Sequence, residues 1–271
     1  MVAIHVTPAA DSAAPEIPVR TLSSRDLNLS LREGWNDFLS MRGDLPFVGL
    51  LYPLVGIVTA WVTLGYNLLQ LFFPIAAGIS LLGPVVAVGF YELARRREAG
   101  LESNWLHFFD VFKRPSADQI GAIAMLLVVI FGLWVAAAEA LYAALWGMPP
   151  ASIGAFLSRL FTTPEGWALI VLGNLIGVGF ALLVLAISFV SLPMLVECNV
   201  EARTAVDTSI RAFRANKGMM IRWGVTIAVL LVLGSIPVFV GLAVVLPWLG
   251  YATWHLYTHV IDRSALQGRS E

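Results

Sequence analysis

Long runs without a charged side chain constrain the fold of this chain more than any other feature of its sequence. Each run is long enough to supply the roughly 20 residues that an α-helix needs to cross a bilayer. Charged residues make up only 13% of the chain, whereas a typical soluble domain contains about 25%. We therefore expect an all-α, polytopic membrane protein, and we exclude a soluble enzyme, a disulfide-stapled secreted domain and a disordered chain.

The runs divide into six predicted transmembrane helices. The last run, Trp223–Val260, is too long for one helix, and Gly234–Pro237 interrupts it near its middle, where proline ends a helix. The six predicted spans are Pro46–Leu69, Leu71–Tyr91, Ile120–Trp146, Trp167–Val196, about Met220–Ile236 and Val238–Val260.

The basic residues predict the orientation of these spans, because short loops rich in Lys and Arg stay on the cytoplasmic side. With six spans, all of the 17 Lys and Arg residues except Arg159 fall on one face. We therefore expect both termini in the cytoplasm. Residues 1–20 are predicted to be a disordered tail, 21–262 a single six-span membrane domain and 263–271 a second tail. The first 45 residues lack the apolar core of a signal peptide, so we expect the first span to direct insertion.

Three amphipathic stretches precede the spans that run outward, and we expect each to form a helix on the inner membrane surface. Ser30 with Glu33 three residues later fits a capping box that would start the first of these helices. The apolar stripes of the three stretches are Leu31, Trp35, Phe38 and Leu39, then Trp105, Phe108, Phe109 and Phe112, then Val206, Ile210 and Phe213.

A threefold repeat is one interpretation of this pattern. Each span that runs inward carries a proline, Pro84, Pro193 or Pro247. The repeated hairpin units would cover about 28–94, 101–197 and 201–262, each with a surface helix, an outward span and an inward span. Parallel repeats of this kind occur in transporters. The alternative is that any hairpin protein of the inner membrane acquires amphipathic cytoplasmic loops.

Small residues at four-residue spacing predict how the third and fourth spans pack, since they let helix backbones approach closely in lipid. We expect the two spans to form a tight hairpin, joined by a loop with a further interfacial helix. The two ridges are Gly173, Gly177 and Ala181 in the fourth span, and Ala136, Ala140 and Ala144 in the third. The apolar residues of the loop helix are Ile153, Phe156, Leu157, Leu160 and Phe161.

Ionisable groups inside a bilayer are costly and are therefore candidates for function. Glu139 lies inside the third span, where it could pair with Asn174, either for structure or to line a polar path. Glu92 and Glu197 occupy matching places near the inner ends of the second and fourth spans. Basic residues follow both, so local ion pairing is one interpretation and a proton or ion relay is the other.

His255 and His259 share a helical face at the four-residue spacing that offers two imidazoles to a metal or haem. No other predicted span contains a histidine, so an inner interfacial pair is the alternative. The single cysteine, Cys198, excludes an internal disulfide and a cysteine metal site. Phosphate-binding glycine loops, helical zinc motifs and nucleophile elbows are absent from the sequence. We therefore expect no catalytic residue, no cofactor and no metal.

Residues Pro247–Tyr257 resemble the closing signature of a bacterial family of predicted integral membrane proteins, domain of unknown function 2189. The resemblance extends back through the proline-bearing spans to Gly34 and Phe38. It implies a multi-pass protein of the bacterial inner membrane and implies no activity.

Two functional hypotheses follow. The first is a non-catalytic accessory or assembly factor that associates laterally with a membrane complex. The second is a small-solute or ion transporter with a polar path near Glu139 and Asn174. The expected partners are the lipid bilayer and either another membrane protein or a second copy. A net charge of -1 and a pI near 6.4 give no reason to expect nucleic acid.

Overall fold

The computed structural model describes residues 17–40, 83–147, 152–237 and 240–266, and these residues are almost entirely helical. The α-helices are α1 (Ser24–Ser40), α2 (Gly83–Glu98), α3 (Ala117–Leu145), α4 (Ile153–Thr162), α5 (Pro164–Glu197), α6 (Ala202–Ala215), α7 (Lys217–Ser235) and α8 (Leu242–Val260). Two 3₁₀ helices complete them, η1 (Trp105–Lys113) and η2 (Arg263–Leu266).

Three of the described helices, α3, α5 and α7, are long and apolar enough to cross a membrane. They correspond to the predicted third, fourth and fifth spans, and only a minority of the residues in their most apolar stretches are buried inside the protein. Exposed valines and leucines in such numbers are expected where lipid replaces water. The described part of the protein is therefore helical throughout its regular structure, with three candidate membrane spans.

The first, second and sixth predicted spans are not among these three helices. Pro46–Leu69 and the part of the second span before Gly83 lie outside the described residues, as do residues 1–16 and 267–271 of the predicted tails. Helix α8 forms where the sixth span is expected, but it is not one of the three apolar helices and most of its residues are buried. The six-span count and the threefold repeat stay predictions.

Helix α1 begins earlier than the sequence predicts. At its start, the side chains of Ser23 and Asp26 accept hydrogen bonds from each other's backbone N–H groups. The Ser23 N–H donates to Asp26 Oδ2 at 2.7 Å, and the Asp26 N–H donates to Ser23 Oγ at 3.4 Å. This is the exchange expected of a helix N-cap. The capping box predicted at Ser30 and Glu33 is therefore wrong, because Ser30 lies fully buried in the second turn of the helix.

The second amphipathic stretch folds as a 3₁₀ helix, which changes its buried face. Asn104 caps η1 by accepting from the Leu106 N–H at 3.0 Å. A 3₁₀ helix has three residues per turn, so Phe108 and Val111 point inward while Phe109 and Phe112 are exposed. The predicted stripe that included Phe109 and Phe112 is wrong because it assumed the α-helical period.

Helices α3 and α5 run antiparallel over most of their lengths. At one end Ser116 Oγ donates to the Leu195 carbonyl at 2.5 Å, and further along Trp134 lies against Gly177. Helix α4 fills the connection between them, as predicted, with Ser152 Oγ accepting from the Ala155 N–H at 3.2 Å.

The buried core lies at one end of the bundle, where α5 and α8 finish, which we call the charged end. Helix α8 is its centre and packs between α1 and α2. The backbones of α1 and α8 meet at Gly34, where a Cβ would lie 2.5 Å from the Ala252 nitrogen. Val19 pairs with Ile261 in an antiparallel bridge, and Arg20 forms a 3.1 Å ion pair with Asp262. The segments before α1 and after α8 therefore lie side by side.

Candidate functional site

Glu92 is the most deeply buried carboxylate of the charged end, with 2% of its side chain exposed. Arg95, one turn later in α2, donates to both of its oxygens, from Nε at 2.9 Å and from Nη2 at 2.7 Å. Arg114, which follows η1, adds a third hydrogen bond at 3.4 Å. A buried charge is tolerated only with such partners, and the predicted local ion pairing of Glu92 is confirmed.

Glu197 at the end of α5 is held by the segment that follows α8. Arg263 Nε donates to Glu197 Oε1 at 2.6 Å, and Tyr257 Oη donates to Glu197 Oε2 at 2.6 Å. Arg263 also donates to Glu98 at the end of α2. The ion pairing of Glu197 is confirmed, but its partner comes from 66 residues further along the chain rather than from the basic residues that follow it.

The pKa values of the arginines in this network shift in different directions: those of Arg95 and Arg263 are raised and that of Arg114 is lowered. Hydrogen bonds to Glu92 raise the pKa of Arg95. Burial and the neighbouring Arg95 charge lower the pKa of Arg114. Burial alone would lower the pKa of Arg263, yet its hydrogen bonds to Glu98 and Glu197 raise it. The network joins the ends of α2, α5 and α8 through charged hydrogen bonds, which are about twice as strong as neutral ones.

His255 and His259 face α1 rather than each other. His255 Nε2 lies 2.8 Å from Asp37 Oδ2, and its Nδ1 lies 3.6 Å from Glu33 Oε2. His259 Nδ1 lies 3.1 Å from Ser30 Oγ. Asp37 is held in turn by Arg97 at 2.9 Å. We call Glu33, Asp37, Arg97, His255 and His259 the histidine junction.

Metal binding was one interpretation of the two histidines. Among the described residues, no group of three or more His, Cys, Asp and Glu side chains is arranged to hold a metal ion. The carboxylates of α1 instead take the imidazole nitrogens as hydrogen-bond and ion-pair partners.

Glu139 and Asn174 are both exposed on the lateral surface, and the structure does not pair them with each other. The Asn174 amide donates to the Ile170 carbonyl of its own helix at 2.7 Å. Glu139 makes no hydrogen bond or ion pair with another described residue. Neither side chain lines a path inside the described part of the chain.

The two ridges of small residues have different environments. Gly177 receives the indole of Trp134, and Gly173 lies near Leu141, so the glycine ridge does face α3. Ala181 is exposed. The role predicted for Ala136, Ala140 and Ala144 is wrong: all three are exposed, because α3 turns the face of Ile123, Leu127, Ile130 and Trp134 toward its neighbours.

The sequence did not identify Glu33, Asp37, Arg97, Glu98 or Arg263 as members of a site. Each is an ordinary charged residue near a predicted membrane boundary, and no local motif contains its partner. One weak signal was present, because Glu33 and Asp37 have the same four-residue spacing as His255 and His259. That spacing puts two side chains on one face of a helix.

Comparison with known proteins confirms the resemblance in part of the chain. Residues 72–197 match the model of a family described as predicted integral membrane protein, domain of unknown function 2189. The matched segment includes Glu92, Glu139, Asn174 and Glu197, and it ends before Pro247–Tyr257. No curated protein and no solved structure matches the chain.

Proposed function

We propose that this chain, whose residues 72–197 match a family of predicted integral membrane proteins, is an accessory or assembly factor that associates laterally with other membrane proteins. We place it in the bacterial inner membrane with both termini in the cytoplasm, and we assign it no catalytic activity. The partner is another membrane protein or a second copy of the chain.

The exposed face of α3 is the observation that carries this proposal. Gly132, Ala136, Ala140 and Ala144 repeat every four residues along it, and all are exposed. Small residues at this spacing let a second helix approach closely and pack by van der Waals contact. Such a face makes few van der Waals contacts with fluid lipid chains and can pack closely against a neighbouring helix.

Glu139 strengthens the case because it lies beside Ala136 and Ala140 on the same exposed side of α3. A carboxylate on a membrane helix costs up to about 2.5–3.5 kcal/mol on insertion scales when it lies at the helix centre, and less toward the helix end, where Glu139 lies. A partner helix that brings a hydroxyl, amide or basic side chain would offset that cost. The exposed Asn174 of α5 offers a second polar group for the same purpose.

The adjacency of Arg20 and Asp262 supports the proposed orientation. Residues that form a 3.1 Å ion pair lie on the same side of a membrane, so the chain crosses the bilayer an even number of times between them. The candidate spans α3, α5 and α7 number three. The six-span prediction adds three further crossings and so keeps Arg20 and Asp262 on one side, in agreement with their ion pair.

A photocrosslinking amino acid at position 140 tests the association directly. We expect ultraviolet light to give one discrete adduct in intact cells, identified by mass spectrometry as a particular membrane protein or as a second copy of this chain. The matched control carries the same amino acid at Val225, which is exposed on α7. Equal and heterogeneous labelling from both positions, or none from position 140, would contradict the proposal.

The transporter hypothesis is a second candidate, carried by Glu139, which has no ion-pair partner in the part of the chain that the structure describes and lies on a helix of membrane length. It requires a neighbouring chain to close a path around that carboxylate. Purified protein in proteoliposomes should then pass an ion or small solute, and Glu139→Gln should abolish the flux. Flux that is absent, or equal in the wild type and this variant, would remove Glu139 from any path.

A further inference from the structure

The 3₁₀ geometry of η1 divides its surface into three rows, because residues three apart lie directly above one another. Phe108 and Val111 form the row that packs on the core. Asp110 and Lys113 belong to a polar row and share a hydrogen bond of 2.7 Å. The third row, which we call the outward row, is apolar and exposed. Its members are Leu106, Phe109 and Phe112, which leave 58%, 44% and 71% of their surfaces uncovered.

The rotation of η1 is fixed by a close contact with α2. The Phe108 ring lies directly on the backbone of Gly89, so closely that a Cβ on Gly89 would clash with the ring. The same ring meets Phe90 edge to face, with centroids 5.1 Å apart. Because Phe108 is held inward, the outward row cannot turn into the core without loss of this contact. The exposure of the row is therefore a consequence of the packing.

The position of η1 in the chain places the outward row beside a candidate membrane span. Only three residues separate Lys113, the last residue of η1, from Ala117, the first residue of α3. Two turns into α3, Met125 is exposed and apolar. Helix η1 therefore lies close to the level at which a bilayer around α3 would begin.

Lipid fits the outward row better than a protein partner does. Exposed groups of large apolar side chains mark interaction surfaces, but three side chains fall far short of the roughly 20–30 residues that each side of a typical protein interface contains. Aromatic side chains favour the boundary between headgroups and acyl chains. A helix that lies in this boundary needs an apolar side and a charged side, and η1 has both.

The polar row suits the headgroup layer. It lies a third of a turn from the outward row, so Asp110 and Lys113 stay near water when the outward row enters the acyl region. Lys113 leaves 80% of its side chain exposed. Its flexible stem can follow the apolar surface while its ammonium group stays among the lipid phosphates.

We propose that the outward row of η1 inserts into the membrane leaflet at the charged end and anchors η1 at the boundary between headgroups and acyl chains. This face differs from the stripe expected of an α-helix, because Leu106 joins it and Phe108 leaves it. Arg114, directly after η1, binds Glu92, so the anchor also holds the charged network at a fixed depth. The anchor goes beyond the proposed lateral association and does not depend on it, since the alanine face of α3 is not part of the row.

Site-specific fluorescence in lipid vesicles tests the anchor. Phe112→Cys carries a polarity-sensitive fluorophore in the full-length protein, reconstituted in vesicles of phosphatidylethanolamine and phosphatidylglycerol. The unsubstituted protein controls for labelling of Cys198, which is buried. We expect emission at a shorter wavelength than in water, quenching by lipids that carry a spin label on the acyl chain, and loss of most of the quenching by aqueous iodide.

Lys113→Cys is the matched control, because it is the next residue and belongs to the polar row. Its probe should emit at a longer wavelength and be quenched by iodide, whereas Val225→Cys on the exposed side of α7 provides a lipid-facing reference. Equal iodide quenching at positions 112 and 113 would overturn the proposal. Shielding of position 112 that fades on dilution of the protein in lipid would assign the row to a second copy instead. Shielding only in native membranes would assign it to another protein, and either result would also overturn the anchor.

Discussion

The indole of Trp134 lies directly on the backbone of Gly177, where a Cβ would be only 2.6 Å from Trp134 Cη2. The same ring meets Phe180 edge to face, with centroids 5.6 Å apart. One turn away, Gly173 has space, since a Cβ there would lie 3.8 Å from Leu141 Cδ2. Two glycines of one ridge therefore contribute differently to the packing of α3 on α5.

This difference predicts opposite effects of the same substitution. Gly177→Ala should lower the stability of the α3–α5 pair by about 1–3 kcal/mol, because the ring or the helix must move. Gly173→Ala should be neutral or stabilise by up to about 1 kcal/mol, because alanine favours the helix and meets no clash. Thermal unfolding of both variants in the same detergent measures this. Equal midpoints would mean that Trp134 does not rest on Gly177.

Removal of the buried carboxylate should be the most damaging single change at the charged end. Glu92→Gln leaves Arg95 and Arg114 facing each other without the anion between them, a loss of about 3–5 kcal/mol for a buried pair. We expect a large drop in the thermal midpoint or in the yield of folded protein. Glu201→Gln is the matched control, because Glu201 is exposed and its side chain makes no cap hydrogen bond. A comparable loss in both variants would contradict the role of Glu92.

Acid should destabilise the N-terminal cap of α1. Hydrogen bonds from the Ser23 side chain and backbone hold the pKa of Asp26 below its ordinary value. A lowered native pKa means that the carboxylate stabilises the cap above about pH 4 and that this contribution is lost as the pH falls through the native pKa. Exchange of the first-turn amides of α1, corrected for intrinsic rates, should accelerate as the pH falls below about 4.

The control for this experiment is built into the chain. Helix α4 is capped by Ser152 and has no acidic residue in its first turn, so its first-turn amides should show no acid response. Asp26→Asn should abolish the response of α1 while leaving α4 unchanged. An acid response of equal size in both helices would point to general unfolding rather than loss of the cap.

The candidate membrane spans α3, α5 and α7 could be predicted because their signal is local. A run such as Ile120–Trp146 can cross lipid only as a helix, because every backbone N–H and C=O group there must be hydrogen-bonded within the segment. Proline and aromatic residues then fixed the ends of the runs to within a few residues. Helix α4 in the α3–α5 connection could also be predicted from a local signal, the helical spacing of Phe156, Leu160 and the neighbouring apolar residues.

The contacts between helices could not be predicted, because they depend on rotation and register. The sequence offers alanines and glycines on α3 and α5 equally, and only the packing of Trp134 decides which face of α3 turns inward. Arg263 and Glu197, or His255 and Asp37, are separated by 66 and 218 residues. No periodic pattern joins residues so far apart, and the 3₁₀ geometry of η1 likewise has no distinct signal in its sequence.

Reporter fusions test the orientation on which the proposed function depends. The ion pair of Arg20 with Asp262 favours a position of both residues on one side of the membrane, and nearly all of the basic residues predict that this side is the cytoplasm. A green fluorescent protein fused after Glu271 should therefore fluoresce, and alkaline phosphatase at the same place should be inactive. Phosphatase inserted between Gly147 and Ser152, in the connection of α3 and α5, should be active. Phosphatase activity at the carboxyl end would contradict the proposed orientation.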